Sequence, residues 1–282
     1  MSDEAIARAA EAIEAAELLV FTAGAGMGVD SGLPDFRGDE GFWRAYPPLK
    51  ALGLSFAAMA NPRWFRDDPT LAWGFYGHRL SLYRATRPHA GYAHLLAWGR
   101  EKPLGYEVFT SNVDGAFVRA GFDPGRLVEC HGAIDFLQCF AGCGQGIFSA
   151  DGVSVAVDPA SFRAVGPLPT CPRCGGLARP NIVMFGDPHF DDARLGDQLD
   201  PQRARFEAYE GARLVVIECG AGTAIPSVRH FGEETVARQG GLLLRINVRE
   251  PQVPRGHVGL AMGARAALDA IDGALRARQG RG

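Results

Sequence analysis

Along this 282-residue chain, short apolar runs alternate with longer amphipathic stretches. Near the N-terminus Ile6, Ala9, Ala10 and Ile13 recur at helical spacing, which predicts a helix over Asp3–Glu17 capped by Ser2 or Asp3. The next run, Leu18–Phe21, is continuously apolar, as a strand buried on both faces should be. Comparable runs lie at Tyr106–Thr110, Leu127–Cys130, Arg213–Ile217 and Leu242–Ile246. Helical patterns cover Leu71–Arg84, His89–Trp98 and Gly259–Arg278. Residues 38 to about 70 are rich in Gly, Pro and aromatics with little periodicity, which suits a lid or a small helical insert.

Strands alternating with helices predict an α/β fold, a doubly wound parallel Rossmann-like sheet with right-handed crossovers. Ligands of such sheets bind at the carboxyl ends of the strands. The unusual polar clusters of this chain all fall there, at 22–37, 110–114, 131–132, 218–226 and 247–250. An active site along that edge follows from the pattern alone.

Composition narrows the classes. With 47% hydrophobic and 22% charged residues the chain is an ordinary soluble protein. A net charge of −3 offers no footprint for nucleic acid and no basic tail for a membrane. No apolar run approaches the roughly 20 residues that span a bilayer. The opening stretch, MSDEAIARAAEA, lacks the basic and apolar regions of a secretion signal, so a cytoplasmic location is expected.

Several constellations carry candidate chemistry. The first strand ends in Gly24-Ala25-Gly26-Met27-Gly28, where glycines let the backbone approach an anion closely. Read alone, it is equally a strand-to-helix turn. Ser31 to Arg37 then packs a hydroxyl, a proline, an acid, an aromatic and an arginine into one loop, good material for covering a polar ligand. Cys139-x3-Cys143, 27 residues, and Cys171-x2-Cys174 form a zinc-ribbon pattern. Four thiolates leave no open coordination position, so such a zinc is structural; the alternative is four reduced cysteines without metal. His131, at a strand end beside Gly132, is a candidate general base or else an ordinary loop histidine. Asn112 and Asp114 can hold a carboxamide through complementary donors and acceptors. Tyr76 and Arg79 share one helix face, which by itself reads as an amphipathic helix with a snorkelling arginine.

GAGMGVDSGLPDFRG resembles the signature of the sirtuins, the NAD-dependent protein deacylases. The likeness extends from about residue 15 to 265. Thr110 to Asp114 is similar to the family's TQNID, LVECHGAI to its strand ending in His-Gly, Arg179 to Asp187 to its RPxVVxFGE, and Ile246-Asn247 to its Ile-Asn. The resemblance implies one catalytic domain. Its large lobe would take residues 1–40, 85–132 and 180–282, with a helical lid insert at 41–84 and a zinc module at 133–179. It implies NAD, consumed as co-substrate, held by Gly24, Ala25, Gly26, Asp35, Phe36, Arg37, Ser111, Gly220, Gly222 and Asn247. It makes His131 the base, with Asn112 and Asp114 positioning the nicotinamide and the acyl oxygen, and Phe36 with the loop 38–56 the shield against water. Met184, Phe185 and Gly186 would pair with the backbone of an acyl-lysine protein or peptide, with the loop 220–226 on its other edge. Cys139, Cys143, Cys171 and Cys174 would hold one structural zinc, and Tyr76 with Arg79 an acidic acyl chain such as succinyl or malonyl. The implied products are nicotinamide, O-acyl-ADP-ribose and free lysine, the implied state a monomer.

Four positions depart from the family. Gly28 replaces a serine, Ser111 a glutamine, Cys219-Gly220-Ala221 a Gly-Thr-Ser, and Val248-Arg249-Glu250 differs after the Ile-Asn. They leave two competing expectations: ADP-ribosyl transfer or NAD hydrolysis in the same pocket, and a catalytically weak NAD-sensing or interaction module.

Overall fold

The computed structural model describes residues 2–34 and 38–280. Its strands in chain order are β1 (Leu18–Ala23), β2 (Tyr106–Thr110), β3 (Leu127–Glu129), β4 (Gly132–Cys139), β5 (Phe148–Ser149), β6 (Ala156–Val157), β7 (Ala164–Val165), β8 (Ala178–Ile182), β9 (Leu214–Cys219), β10 (Leu242–Ile246) and β11 (Val258–Leu260). Six of them form one parallel sheet in the order β11-β10-β9-β1-β2-β3. The expected doubly wound α/β architecture is what the chain adopts.

Period-2 alternation explains how β1 serves both faces. Leu19 and Phe21 point into a core built with the helices Ser2–Ala15, Ala90–Arg100 and Ala264–Gln279, through Ile13, Leu95, Leu268 and Ile271. Leu18 and Val20 point the other way, to Tyr209, Val216, Val236 and Leu243, where the helices Ala193–Ala208 and Ser227–Gln239 cover the sheet. Each strand is buried on both sides, which is why the sequence shows continuous apolar runs rather than alternation.

The second lobe has its own core. Residues 38–67 form four short helices, Gly38–Ala45, Pro47–Ala51, Phe56–Met59 and Trp64–Asp67, ahead of the long helix Pro69–Ala85. Phe42, Tyr46, Phe65, Trp73 and Tyr76 pack there against Ile134, Leu137, Val155, Phe162 and Ile182 from the cysteine-bearing segment. Trp73 Nε1 donates to Ala178 O at 2.9 Å. The two inserts thus bury their apolar faces against each other, and β4 and β8 run antiparallel from that lobe back to the sheet.

Several expectations need correction. The helix expected to begin at Gly259 begins at Ala264, because Val258–Leu260 is spent on an edge strand paired with β10. Helices at Ala116–Arg119, Ala193–Ala208 and Ser227–Gln239 were absent from the pattern. β1 and β9 each run two residues further, to Ala23 and Cys219. The glycine stretch after β1 leads into a single helical turn, Gly26–Val29, in keeping with the strand-to-helix reading. No helix among the described residues is long and apolar enough to cross a membrane.

Candidate active site

Parallel pairing in register brings Ala23 level with Thr110 and Cys219, Cys219 level with Ile246, and Thr110 level with Glu129. The segments that follow, from Gly24, Ser111, Cys130, Gly220 and Asn247, therefore emerge together at one edge of the sheet. Their backbones are knitted. Gly26 N–H donates to Gly220 O at 3.0 Å, Gly220 N–H to Ile246 O at 2.9 Å, and Ser111 N–H to Ala23 O at 3.1 Å. Glycine is required at this crossing. A Cβ on Gly24 would lie 2.7 Å from Ala221 Cα, and one on Gly220, at φ +66, would lie 2.3 Å from Met27 N.

Asn112 is buried at this edge. Its Nδ2 donates to Gly24 O at 3.0 Å and its backbone N–H to Thr110 Oγ1 at 3.0 Å. The side chain therefore braces the glycine segment as well as facing the site. Asp114 is 6% exposed, and its Oδ1 accepts from Ala116 N–H at 2.8 Å. Burial raises its carboxyl, while the Ala116 bond and the nearby Arg119 and Arg79 pull it back down.

His131 joins β3 to β4, half-buried, with its carbonyl accepting from Val183 N–H at 3.0 Å. Burial pushes its imidazole below the usual histidine value, so it is a neutral base near physiological pH. Ser227 Oγ lies 3.5 Å from its Nε2. Cys130 next to it is pushed up to about 12 by burial, remains a thiol and offers no competing nucleophile.

On the far side of the edge, Asn247 is 2% exposed and fully engaged. Its Nδ2 donates to Ala221 O at 2.7 Å, and its Oδ1 accepts from the N–H groups of Arg249 and Glu250, both at 3.0 Å. Glu250 in turn accepts from Thr223 N–H and Oγ1 at 3.1 and 2.6 Å, closing the loop that holds Gly222. Ala25 sits at the start of the helical turn. Asp35, Phe36 and Arg37 lie outside the described residues.

The long helix of the second lobe carries Tyr76 and Arg79 inward. The surface-helix reading does not hold, since Tyr76 is 1% and Arg79 6% exposed. Arg79 donates from Nε and NH2 to Tyr83 Oη at 2.8 and 2.6 Å, and its guanidinium lies 5.2 Å from the Phe75 ring centroid. The Tyr76 hydroxyl is buried without a hydrogen-bond partner among the described residues. Tyr83 escaped the sequence reading, although its spacing of four from Arg79 put both on one face.

After β8, Met184 is buried, Phe185 exposed, and Gly186 takes φ +66. Phe185 N–H donates to Ala60 O at 2.9 Å, and its carbonyl accepts from Asn61 Nδ2 at 3.0 Å. The second lobe thus fixes the strand edge from behind. A buried Arg179–Asp187 ion pair ties the start of this segment to its end. Only an acid eight residues after Arg179 hinted at it in the sequence.

The four cysteines converge. Cys139 Sγ lies 3.7 Å from Cys174 Sγ, and Cys143 Sγ 3.5 Å from Cys171 Sγ, with all four sulfurs within 4.8 Å of one another. A tetrahedron of sulfurs around zinc with Zn–S near 2.3 Å has an edge of about 3.8 Å. The donor set and spacing fit a structural zinc, placed in the second lobe away from His131.

Comparison with known proteins bears on this arrangement. Residues 24–200 match the model of the Sir2 family. The chain belongs to the Sir2 family. An NAD-dependent protein deacetylase of Halalkalibacterium halodurans is 33% identical over 222 residues, 75% of this chain and 83% of that one. An NAD-dependent protein deacylase of Thermus thermophilus is 29% identical over 265 residues, 93% of this chain and 91% of the relative. Among solved structures, a mutant Sir2 homologue in complex with ADP-ribose superposes with a TM-score of 0.72 at 27% identity, covering 97% of both chains. A Sir2 homologue in complex with NAD superposes with a TM-score of 0.70 at 26% identity, covering 96% of this chain and 94% of that one. The Sir2 match includes the glycine turn, Asn112, Asp114, His131 and the four cysteines.

Proposed function

We propose that this Sir2-family chain is an NAD-dependent protein lysine deacylase with a preference for acidic acyl groups. The observation that carries the catalytic half is the convergence of the glycine turn, Asn112, Asp114 and a neutral, half-buried His131 on one edge of the sheet. NAD is the co-substrate, with its pyrophosphate beside the amides of the Gly24–Gly28 turn and its ribose near the loops at 220–223 and 247–250.

Asn112 and Asp114 orient the nicotinamide carboxamide and the incoming acyl oxygen. That oxygen bonds to C1′ of the ribose as the C1′–N bond to nicotinamide breaks. His131 accepts the proton of a ribose hydroxyl, which then attacks the acyl carbon. Water completes the sequence, leaving free lysine and O-acyl-ADP-ribose. The peptide lies as an added strand beside Met184 and Gly186.

The acyl preference is supported by Arg79 and Tyr76. The Arg79 guanidinium, bonded to Tyr83, and the Tyr76 hydroxyl, which has no hydrogen-bond partner among the described residues, are both enclosed by the second lobe and suit a carboxylate at the end of an acyl chain. Each hydrogen bond to a charged group contributes roughly 1.5–3 kcal/mol, so acidic chains should be favoured by about 10- to 100-fold. The test compares acetyl-, malonyl- and succinyl-lysine forms of one peptide, with products identified by mass spectrometry, in wild type and Arg79→Met. The expected result is O-acyl-ADP-ribose from all three, fastest from the acidic chains, with the preference abolished by the substitution. ADP-ribose or ADP-ribosylated protein as the main product would overturn the deacylase reading. Equal rates on all three peptides would overturn the acyl preference alone.

A further inference from the structure

His89 makes contacts that the reaction itself does not call for. It caps the helix Ala90–Arg100, with its Nδ1 accepting from Gly91 N–H at 3.0 Å. An accepting Nδ1 puts the ring proton on Nε2, which faces the Met27 carbonyl at 3.1 Å and donates to it. The backbone N–H of His89 donates to Ser31 Oγ at 3.0 Å. With its carbonyl accepting from Tyr92 N–H at 3.1 Å, the residue makes two bonds to its own helix and two across to the segment that follows β1.

The surroundings are built for this ring. His89 is 7% exposed and packs on Tyr92, with ring centroids 5.0 Å apart. A Cβ on Gly91 would lie 2.6 Å from His89 Cε1 and 2.7 Å from Leu268 Cδ1. Glycine weakens a helix, and here the ring leaves room for nothing larger. Burial keeps the imidazole neutral, as its paired acceptor and donor roles require; the charged groups facing it are Asp30, Arg265 and Asp269.

The segment it reaches needs such support. Gly24 and Gly26 are tied to the neighbouring strand ends, but from Met27 to Leu33 the backbone is held by short-range turns: Met27 N–H to Gly24 O, Ser31 N–H to Gly28 O, and Leu33 N–H to Gly28 O. Asp30 Oδ2 accepts from Arg265 N–H at 2.8 Å, anchoring one side on the helix Ala264–Gln279. His89 anchors the other side on the helix Ala90–Arg100.

We propose that His89 is a positioning residue for the NAD-binding turn, pinning Met27 and Ser31 so that the Gly24–Leu33 segment holds its receiving shape before NAD arrives. The proposal rests on the NAD reading of that turn. Ordering the segment during folding removes an ordering cost from binding.

The test separates the two ring nitrogens. His89→Asn keeps an acceptor for Gly91 and is too short to reach Met27, whereas His89→Gln keeps a donor for Met27 and gives up the cap. Hydrogen exchange without NAD is read at the amides of Ser31, Gly32 and Leu33, and the KM for NAD is measured in parallel. In His89→Asn, exchange at those amides and the KM for NAD should each rise about 5- to 10-fold, the effect of one hydrogen bond, with kcat changed less than about twofold. His89→Gln should rescue both quantities. The reverse pattern, with Asn like wild type and Gln impaired, would make His89 a helix cap only and overturn the proposal. Wild-type-like exchange in both variants would overturn it as well. Absence of NAD binding in the wild type would instead defeat the reading of function, while the exchange measurement still decides whether His89 orders the turn.

Discussion

In the proposed reaction His131 owes its fitness as a base to burial. The cause of its shift is burial, which disfavours the imidazolium. A base must be unprotonated, so a depressed pKa keeps it competent as the pH falls. The acid limb of kcat/KM should therefore lie below the ordinary histidine value of about 6.5, with the rate flat above that limb. A limb centred at or above 6.5 would assign the titration to another group. His131→Ala should bind NAD as wild type does and lose turnover by roughly 100-fold, the usual scale for a general base. Equal loss of NAD binding, measured by calorimetry, would make the residue structural. Asn112 and Asn247 also shape the backbone of the site. Their side chains spend hydrogen bonds on Gly24 O and Ala221 O, so substituting either disturbs the shape of the site as well as its contacts.

At the scale of elements, the cysteine segment and the helical insert are one unit, since Phe65, Trp73 and Tyr76 share a core with Leu137, Val155 and Phe162. Zinc held by Cys139, Cys143, Cys171 and Cys174 would fix the ends of that segment, and its binding energy contributes to folding. Purified protein should carry one zinc per chain. Chelation or Cys171→Ser should lower the melting temperature and expose apolar surface of the second lobe. Metal-free protein with an unchanged melting temperature would contradict that role. Strands such as Tyr106–Thr110 and Leu242–Ile246 are legible to the residue because burial on both faces leaves a mostly apolar run, even with Glu107 and Arg245 buried inside them in ion pairs. The helix Ala193–Ala208 was not legible. Gln202 is its only buried residue and Pro201 lies inside it, so no apolar stripe marks a face. Ser227–Gln239 buries Val228 and Val236 together with Arg229, Gly232 and Thr235, so its apolar stripe is thin. The edge strand Val258–Leu260 is three residues long and hides at the head of a helical pattern.

Across the whole molecule, the polar clusters came together because parallel strands place every carboxyl end on one side, and that much was legible from their order. The inward turn of Arg79 was not, since a helix periodicity cannot say which lobe will enclose it. In the proposed reaction the two lobes meet: the sheet supplies Asn112, Asp114 and His131, and the second lobe supplies Tyr76, Arg79 and the residues that brace Phe185. In that proposed reaction the acyl oxygen, admitted from the second lobe, captures the ribose held on the sheet. Cleavage of NAD must then depend on the acyl-peptide. The most direct test is to measure nicotinamide released and lysine freed in the same reaction, with and without acyl-peptide. Equimolar release with peptide, and a rate without it lower by roughly 100-fold or more, is the predicted result, the scale expected when orientation of a second reactant controls the step. Nicotinamide released at the same rate without peptide would contradict the account and make the chain an NAD hydrolase.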